Sequence, residues 1–162
     1  MITQLLPEQI AEHWNVIKYA VENSLPPIAG NEHPDRTNRI LSAALAGRIS
    51  VWASYERVDE YRIKFEGVVL TKILYDDVSG TKQLLIYSIF GYNQVSKESW
   101  NQALVTLSTY AVNKKCSQII AYTDHEYIKK IAIQLGGTSR HFISFEVNEI
   151  VKSLNNLDGG KL

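Results

Sequence analysis

Hydrophobic residues recur every three to four positions through the N-terminal part of the chain, which is the spacing of amphipathic helices. Pro7 is a favoured first residue of a helix, and Pro26 and Pro27 cannot continue one, so a first helix is predicted over residues 7–25. After a polar loop, a second helix ends at Gly47, where a left-handed cap is favoured. The apolar faces of these two helices consist of Ile10, Trp14, Ile17, Val21, Ile40, Leu41, Ala44 and Leu45.

The pattern then changes to that of β-strands. Three apolar, β-branched or aromatic stretches follow, over residues 49–55, 63–75 and 82–90. Residues 76–80 join the last two as an antiparallel hairpin, because Gly80 can adopt the positive φ that such turns require. The third stretch is almost continuously apolar, which predicts a strand covered on both faces.

Helical spacing returns in the second half of the chain. Ser96 can cap a long helix, and a buried strand is predicted over residues 116–122. A shorter helix follows and ends at Gly136 and Gly137, and a last strand is predicted over residues 142–147. The core face of the long helix consists of Trp100, Leu104, Leu107 and Ala111, and that of the shorter helix of Ile128, Ile131, Ala132 and Leu135.

The predicted order is therefore α-α-β-β-β-α-β-α-β, an α/β (α+β) domain with a mixed sheet. Its N-terminal strands are antiparallel, and the helix crossover in the second half requires a parallel pair. We expect one domain over residues 1–150, followed by a C-terminal helical turn and a flexible tail over residues 151–162.

Composition narrows the range of functions. Seventeen basic residues balance seventeen acidic ones, so the chain lacks the basic surplus typical of nucleic-acid binding, and we expect no nucleic-acid partner. A chain without net charge does not repel copies of itself, so we expect a protein partner or self-association. Cys116 is the single cysteine, so no disulfide can form within the chain, and core packing is its expected role. The chain shows neither a secretion signal nor a membrane-spanning run of apolar residues, so we expect a soluble cytoplasmic protein with no membrane partner.

The second half of the chain carries a resemblance to a known family. Between Gly91 and Val147, a strand, a long helix, a strand, a short helix ending in Gly136 and Gly137, and a terminal strand follow one another. This order, together with the stretch from Ile119 to Thr123, resembles the GNAT superfamily of N-acyltransferases. More loosely, the chain is similar to small GNAT-like proteins of tailed bacteriophages, some of which look like particle components. The resemblance implies acetyl-CoA as the cofactor and no metal.

The resemblance also implies where the cofactor lies. In the family, the strand before the long helix splays from its parallel neighbour, the pantetheine arm lies in the gap, and the pyrophosphate lies on the helix N-terminus. The positions that match this turn assign Tyr92, Ser96, Lys97 and Ser99 to cofactor binding, but the glycines of the family pattern are missing. The alternative is that Ser96 is a simple helix cap and Lys97 a solvated side chain.

Catalytic residues of the family do not carry over. Residues 82–90 contain no carboxylate that could act as the base, and the position of the family's acidic Tyr is Ala132. His125 at the edge of the parallel pair and Glu32 in the loop between the first helices are the substitutes we consider, and an ordinary surface role is the alternative for each. The histidines are scattered and have no metal-ligand spacing, so no zinc site is expected.

Two functions follow from these patterns. The degenerate cofactor motif favours a GNAT-fold protein that binds or assembles without catalysis, encoded by a bacteriophage and present in the host cytoplasm or the virion. The alternative is a divergent acyl-CoA-dependent N-acyltransferase that acts on an amine. An open gap between the two parallel strands would support the acyltransferase alternative.

Overall fold

A computed structural model describes residues 2–26, 34–60, 62–93, 96–123, 126–140, 143–144 and 146–158, without the side chains of residues 56–57 and 155–158. The chain divides into two units, Met1–Asp124 and His125–Leu162. The first unit contains the sheet and helices β1 (Thr3–Gln4), α1 (Pro7–Glu12), α2 (Trp14–Glu22), α3 (Arg36–Leu45), β2 (Ser50–Arg57), β3 (Ile63–Asp76), β4 (Thr81–Gly91), α4 (Lys97–Asn113) and β5 (Gln118–Ala121). The second unit contains α5 (Glu126–Gln134) and α6 (Val147–Asp158).

The strands form one mixed sheet in the order β1-β2-β3-β4-β5. The first three pairings are antiparallel, and β4 pairs with β5 in parallel. The predicted fold class is therefore confirmed. The short edge strand β1 is an addition that sequence reasoning missed, because a two-residue strand shows no alternation of its own.

The predicted first helix is divided into α1 and α2 at His13, whose backbone leaves the helical conformation. Pro7 is the first helical residue of α1, as predicted, and the Gln9 side chain accepts a hydrogen bond from the Leu6 amide at 2.9 Å. Gly80 has a φ of +70° in the hairpin between β3 and β4, which confirms the predicted turn.

The core lies on both faces of the sheet. On one face, α1, α2 and α3 pack on the sheet through a cluster that includes Ile17, Val21, Val51 and Leu70. On the other face, α4 packs through a cluster that includes Trp52, Val69, Leu84, Leu107 and Ala111. Neighbouring strand residues such as Val51 and Trp52 belong to different clusters because successive side chains of a strand point to opposite faces. The continuously apolar β4 is therefore covered on both sides, as its sequence predicts.

The end of the chain differs from the prediction. Of the last predicted strand, residues 142 and 145 lie outside the described residues, residues 143, 144 and 146 are not in a strand, and Val147 begins α6. The amide of Ile150 donates to the carbonyl of Glu146 at 3.0 Å, so the helix includes the predicted turn and runs to Asp158. Its apolar residues Val147, Ile150, Val151 and Leu154 have helical spacing, which outweighs the short alternation before them. The domain boundary at residue 150 stays a prediction, and α6 runs across it.

Candidate functional site

The parallel strand β5, at the edge of the sheet, pairs with only part of β4. Their pairing runs from Gln83 and Gln118 to Ile86 and Ala121 and then stops, while β4 continues to Gly91 in register with β3. On the side of β4 that faces β5, no described strand pairs with residues 87–91. Because the backbone groups of a strand alternate between its two neighbours, about half of the amides and carbonyls of this segment face the open side.

A β-bulge lies at the point of separation. Leu70 pairs with Ser88 and Thr71 with Ile86, so Tyr87 is an extra residue in β4. A bulge bends its strand and increases its local twist. The Tyr87 ring packs against the cluster on the α2 side, and its burial raises the pKa of its hydroxyl. The bulge and the end of the β4–β5 ladder thus coincide within one residue.

The N-terminus of α4 holds three of the predicted cofactor-binding residues. Ser96 is the N-cap: its Oγ accepts a hydrogen bond from the Ser99 amide at 3.1 Å and lies 3.1 Å from the Ser99 Oγ. Among the described residues, the amides of Lys97 and Glu98 have no acceptor, and both side chains are exposed. An anion at this site could therefore contact two backbone amides and the Lys97 ammonium, while the Glu98 carboxylate would repel it. Ser96 itself acts as the cap that the alternative interpretation expects.

Tyr92, the fourth residue predicted to bind the cofactor, follows the end of β4, and its hydroxyl already makes a hydrogen bond. It donates to the carbonyl of Val16 in α2 at 2.7 Å, and its ring meets Phe90 at 5.0 Å and Tyr19 at 6.4 Å between centroids. Burial, with a smaller contribution from Tyr19, raises the pKa of Tyr92 to about 12. Tyr92 thus fastens the end of β4 to α2, and its role in cofactor binding stays a prediction.

Both predicted catalytic residues, His125 and Glu32, lie outside the described residues. Sequence reasoning searched β4 for a carboxylate and missed one on the neighbouring strand. Glu66 is the extra residue of a second bulge, in β3, and its Oε2 accepts a hydrogen bond from Ser54 at 2.6 Å. The Glu66 carbonyl accepts from the Tyr92 amide at 2.9 Å, which brings this residue to the end of β4. No local signal in the sequence indicates this placement.

Near the start of β3, the backbones of β3 and β4 approach each other closely. Gly67 pairs with Gly91, and a Cβ on Gly67 would lie 3.2 Å from the Phe90 carbonyl oxygen. Because both residues of this pair are glycines, no side chain lies at this position of the two strands.

Two further expectations concern cysteine and metals. Cys116 is partly buried against the cluster on the α4 side, in agreement with a packing role. In the described part of the chain, no three residues of the His, Cys, Asp or Glu types are placed to hold a metal ion, and no helix there is long and apolar enough to cross a bilayer.

No protein-family model matches the sequence, and no curated protein matches it either. Solved structures resemble the fold. A probable acetyltransferase superposes with a TM-score of 0.65 at 12% identity, over 91% of this chain and 96% of that one. Ribosomal-protein-alanine N-acetyltransferase from Brucella melitensis biovar Abortus 2308 gives 0.60 at 15% identity, over 91% and 98% of the two chains. Aminoglycoside N-acetyltransferase AAC(6')-Iy in complex with a CoA bisubstrate analogue gives 0.64 at 17%, over 90% and 95%. The short parallel pairing of β4 with β5, the bulge and these superpositions agree: this chain has the fold of the GNAT N-acetyltransferases.

Proposed function

We propose that this protein binds an acyl-CoA along the open side of β4 and transfers the acyl group to an amine. The observation that carries the proposal is the bulge at Tyr87 together with the end of the β4–β5 ladder at Ile86. A strand that keeps one partner and loses the other exposes backbone donors and acceptors, and an extended ligand with amide groups can pair with them. The N-acetyltransferases of the same fold support the choice of ligand.

The residues present fit the two parts of this ligand unequally. The pantetheine arm carries amides, which match the open backbone groups of residues 87–91. The pyrophosphate is an anion. The amides of Lys97 and Glu98, which have no acceptor among the described residues, would hold it at the start of α4 together with the Lys97 ammonium. The Glu98 carboxylate works against this contact. We therefore expect the arm to contribute most of the affinity and the phosphates less than a glycine-rich turn would provide.

When bound, the acyl-CoA supplies a thioester whose carbon bonds to the amine nitrogen as its bond to sulfur breaks, while one proton leaves the amine and one reaches the sulfur. The chain must supply a group that accepts the amine proton. Glu66 is a candidate because Ser54 holds its carboxylate and because its backbone carbonyl pairs with the amide of Tyr92, the residue after β4. His125 and Glu32 stay predictions for the same role.

The proposal is tested by binding and by turnover. Isothermal titration with acetyl-CoA should show one saturable site, and incubation with a panel of amines should give an N-acetyl product detected by its mass. Mass detection is preferable because it identifies the N-acetylated product itself. In the turnover assay, Glu66→Gln, His125→Ala and Glu32→Gln can be compared directly. Absence of heat with any acyl-CoA at millimolar concentration would overturn the proposal.

Two neighbouring residues allow a matched test of the phosphate contact. Lys97→Ala should weaken acetyl-CoA binding about two- to fivefold and Glu98→Gln should strengthen it by a similar factor, since exposed charge contacts contribute about 0.2–1 kcal/mol. Lys115→Ala, at the other end of α4, removes the same charge and should change nothing. Both effects should shrink at high salt. Equal affinities in all four proteins would place the phosphates elsewhere.

A second candidate is a non-catalytic binding or assembly protein, including a component of a phage particle. The observation in its favour is the start of α4, where Ser96 already uses the Ser99 amide and Glu98 brings a negative charge. This candidate predicts no product from any amine and a stable complex with itself or a partner. Light scattering after size exclusion, run beside the turnover assay, distinguishes the two: a monomer that acetylates an amine excludes it.

A further inference from the structure

A cleft away from the open side of β4 has the features of a small-molecule site. It has a volume of about 410 Å³ and lies where β1, the start of α1, the end of α3, the start of β2 and the end of α4 meet. This volume is within the usual range for small-molecule sites, roughly 300–1,000 Å³. Its accessible apolar surface comes from Leu6, which is 62% exposed, and from Pro7, while the lining residues Leu5, Ile10 and Val51 are buried in the core. This surface suits the apolar body of a ligand.

Polar groups converge at the side of the cleft formed by β1, β2 and α4. The Gln4 side-chain amide donates to Ser50 Oγ at 3.3 Å, and Ser50 Oγ lies 3.1 Å from the Tyr110 hydroxyl. The two hydroxyl groups have two hydrogens, and the hydrogen bond between Ser50 and Tyr110 uses only one of them. Whichever hydroxyl donates, one O–H is left without an acceptor among the described residues. A ligand with an acceptor oxygen would use it.

The same end of the cleft carries a positive charge. Lys114 lines the cleft, and its Nζ lies 5.5 Å from the centroid of the Tyr110 ring. No acidic residue is among the described residues that line the cleft, and Lys114 makes no ion pair with a described residue. Lys114 is also the C-cap of α4, where the negative end of the helix dipole opposes any anion, so the Lys114 ammonium must offset this effect and the cleft favours at most one negative charge. One ammonium and one free hydroxyl hydrogen therefore suit a single carboxylate.

We propose that this cleft binds a small monocarboxylate with an apolar body, with the carboxylate on Lys114 and the free hydroxyl of the Ser50–Tyr110 pair and the body against Leu6 and Pro7. The site shares no lining residue with the open segment of β4 or the first turn of α4. It is therefore independent of the acyl-CoA proposal.

Sodium octanoate, used below its micellar concentration, is a suitable probe, with 1-octanol as its uncharged counterpart. Isothermal titration of the full chain should give one octanoate site. Lys114→Met keeps the length of the side chain and should weaken octanoate binding at least fivefold while leaving 1-octanol unaffected. The matched control is Lys115→Met, which removes the neighbouring charge that does not line the cleft and should bind octanoate like the unmodified protein.

A second variant keeps the test decisive if Lys114→Met does not fold. Tyr110→Phe retains the ring that packs on Trp52 at 5.0 Å and removes one hydroxyl, so it should weaken octanoate binding while far-UV circular dichroism stays unchanged. Equal octanoate affinity in the unmodified protein and Lys114→Met, or no saturable heat, overturns the proposal. A dimer that forms with concentration and that Lys114→Met abolishes would mean that a second copy covers the cleft, which also overturns it.

Discussion

The hydroxyl of Tyr92 should make a measurable contribution to stability. Tyr92→Phe removes the hydrogen bond to the Val16 carbonyl at 2.7 Å and keeps the ring against Phe90 and Tyr19. A neutral hydrogen bond contributes about 0.5–1.5 kcal/mol net. Val16 lies inside α2, whose helical hydrogen bonding its carbonyl can still join, so no orphaned group adds to this cost. We expect the free energy of unfolding to fall by about 1 kcal/mol, which corresponds to about 2–4 °C in the melting temperature of a chain of this size.

The same hydroxyl predicts a pH dependence. Burial raises the pKa of Tyr92 to about 12, above its ordinary value of 10.0, because the fold favours the neutral phenol. Its contribution to stability is therefore complete below pH 10 and is lost as the pH rises from 10 towards 12. Since the phenylalanine variant has no proton to lose, the stability difference between the two proteins should narrow through this window.

Urea unfolding followed by far-UV circular dichroism at pH 8 and at pH 10.5–11.5 measures both effects. Tyr75→Phe is the matched control, because Tyr75 is exposed on β3 and has no hydrogen bond to a described residue. The control should match the unmodified protein at pH 8. Two results would refute this reasoning: equal stability of Tyr92→Phe and the unmodified protein at pH 8, or a stability difference that is the same at every pH. Either would mean that the hydrogen bond from Tyr92 to Val16 does not stabilise the fold as described.

Three further substitutions test other parts of the fold by urea unfolding. Ser96→Ala removes the cap of α4 and should cost about 1 kcal/mol, whereas Ser108→Ala on the exposed face of the same helix should stay within about 0.5 kcal/mol of the original. Thr71→Val leaves the buried indole N–H of Trp52 without the acceptor that now lies at 2.9 Å and should cost about 1–3 kcal/mol. Gly80→Ala should cost about 1–2 kcal/mol through its φ of +70° alone, because a Cβ there would meet nothing within 4 Å. An unchanged unfolding midpoint in Ser96→Ala, Thr71→Val or Gly80→Ala would contradict the role assigned to that residue.

Local patterns predicted most of the elements because helical and strand spacing are properties of neighbouring residues. The cap at Ser96, the turn at Gly80 and the end of α5 at Gly136 and Gly137 are equally local, and the structure has each of them. A Cβ on Gly137 would lie 2.8 Å from the Ala132 carbonyl oxygen, so that glycine is required by its contact. The last strand was the wrong prediction, since the helical face that begins at Val147 overlaps the apolar alternation before it.

The sequence by itself determined the mixed α/β class and the two-sided burial of β4. It also determined that the glycines and the strand carboxylate of the GNAT pattern are missing. Only the tertiary structure decided where β4 and β5 part, which residue of β4 bulges, and that Glu66 lies at the end of that strand. It also decided that the hydroxyl of Tyr92 is used by Val16, 76 positions away, and that Ser50 meets Tyr110 across 60 positions. These features depend on strand register and on contacts between distant segments. A periodic pattern states which face of an element is buried, but it contains no information about which distant residue lies opposite.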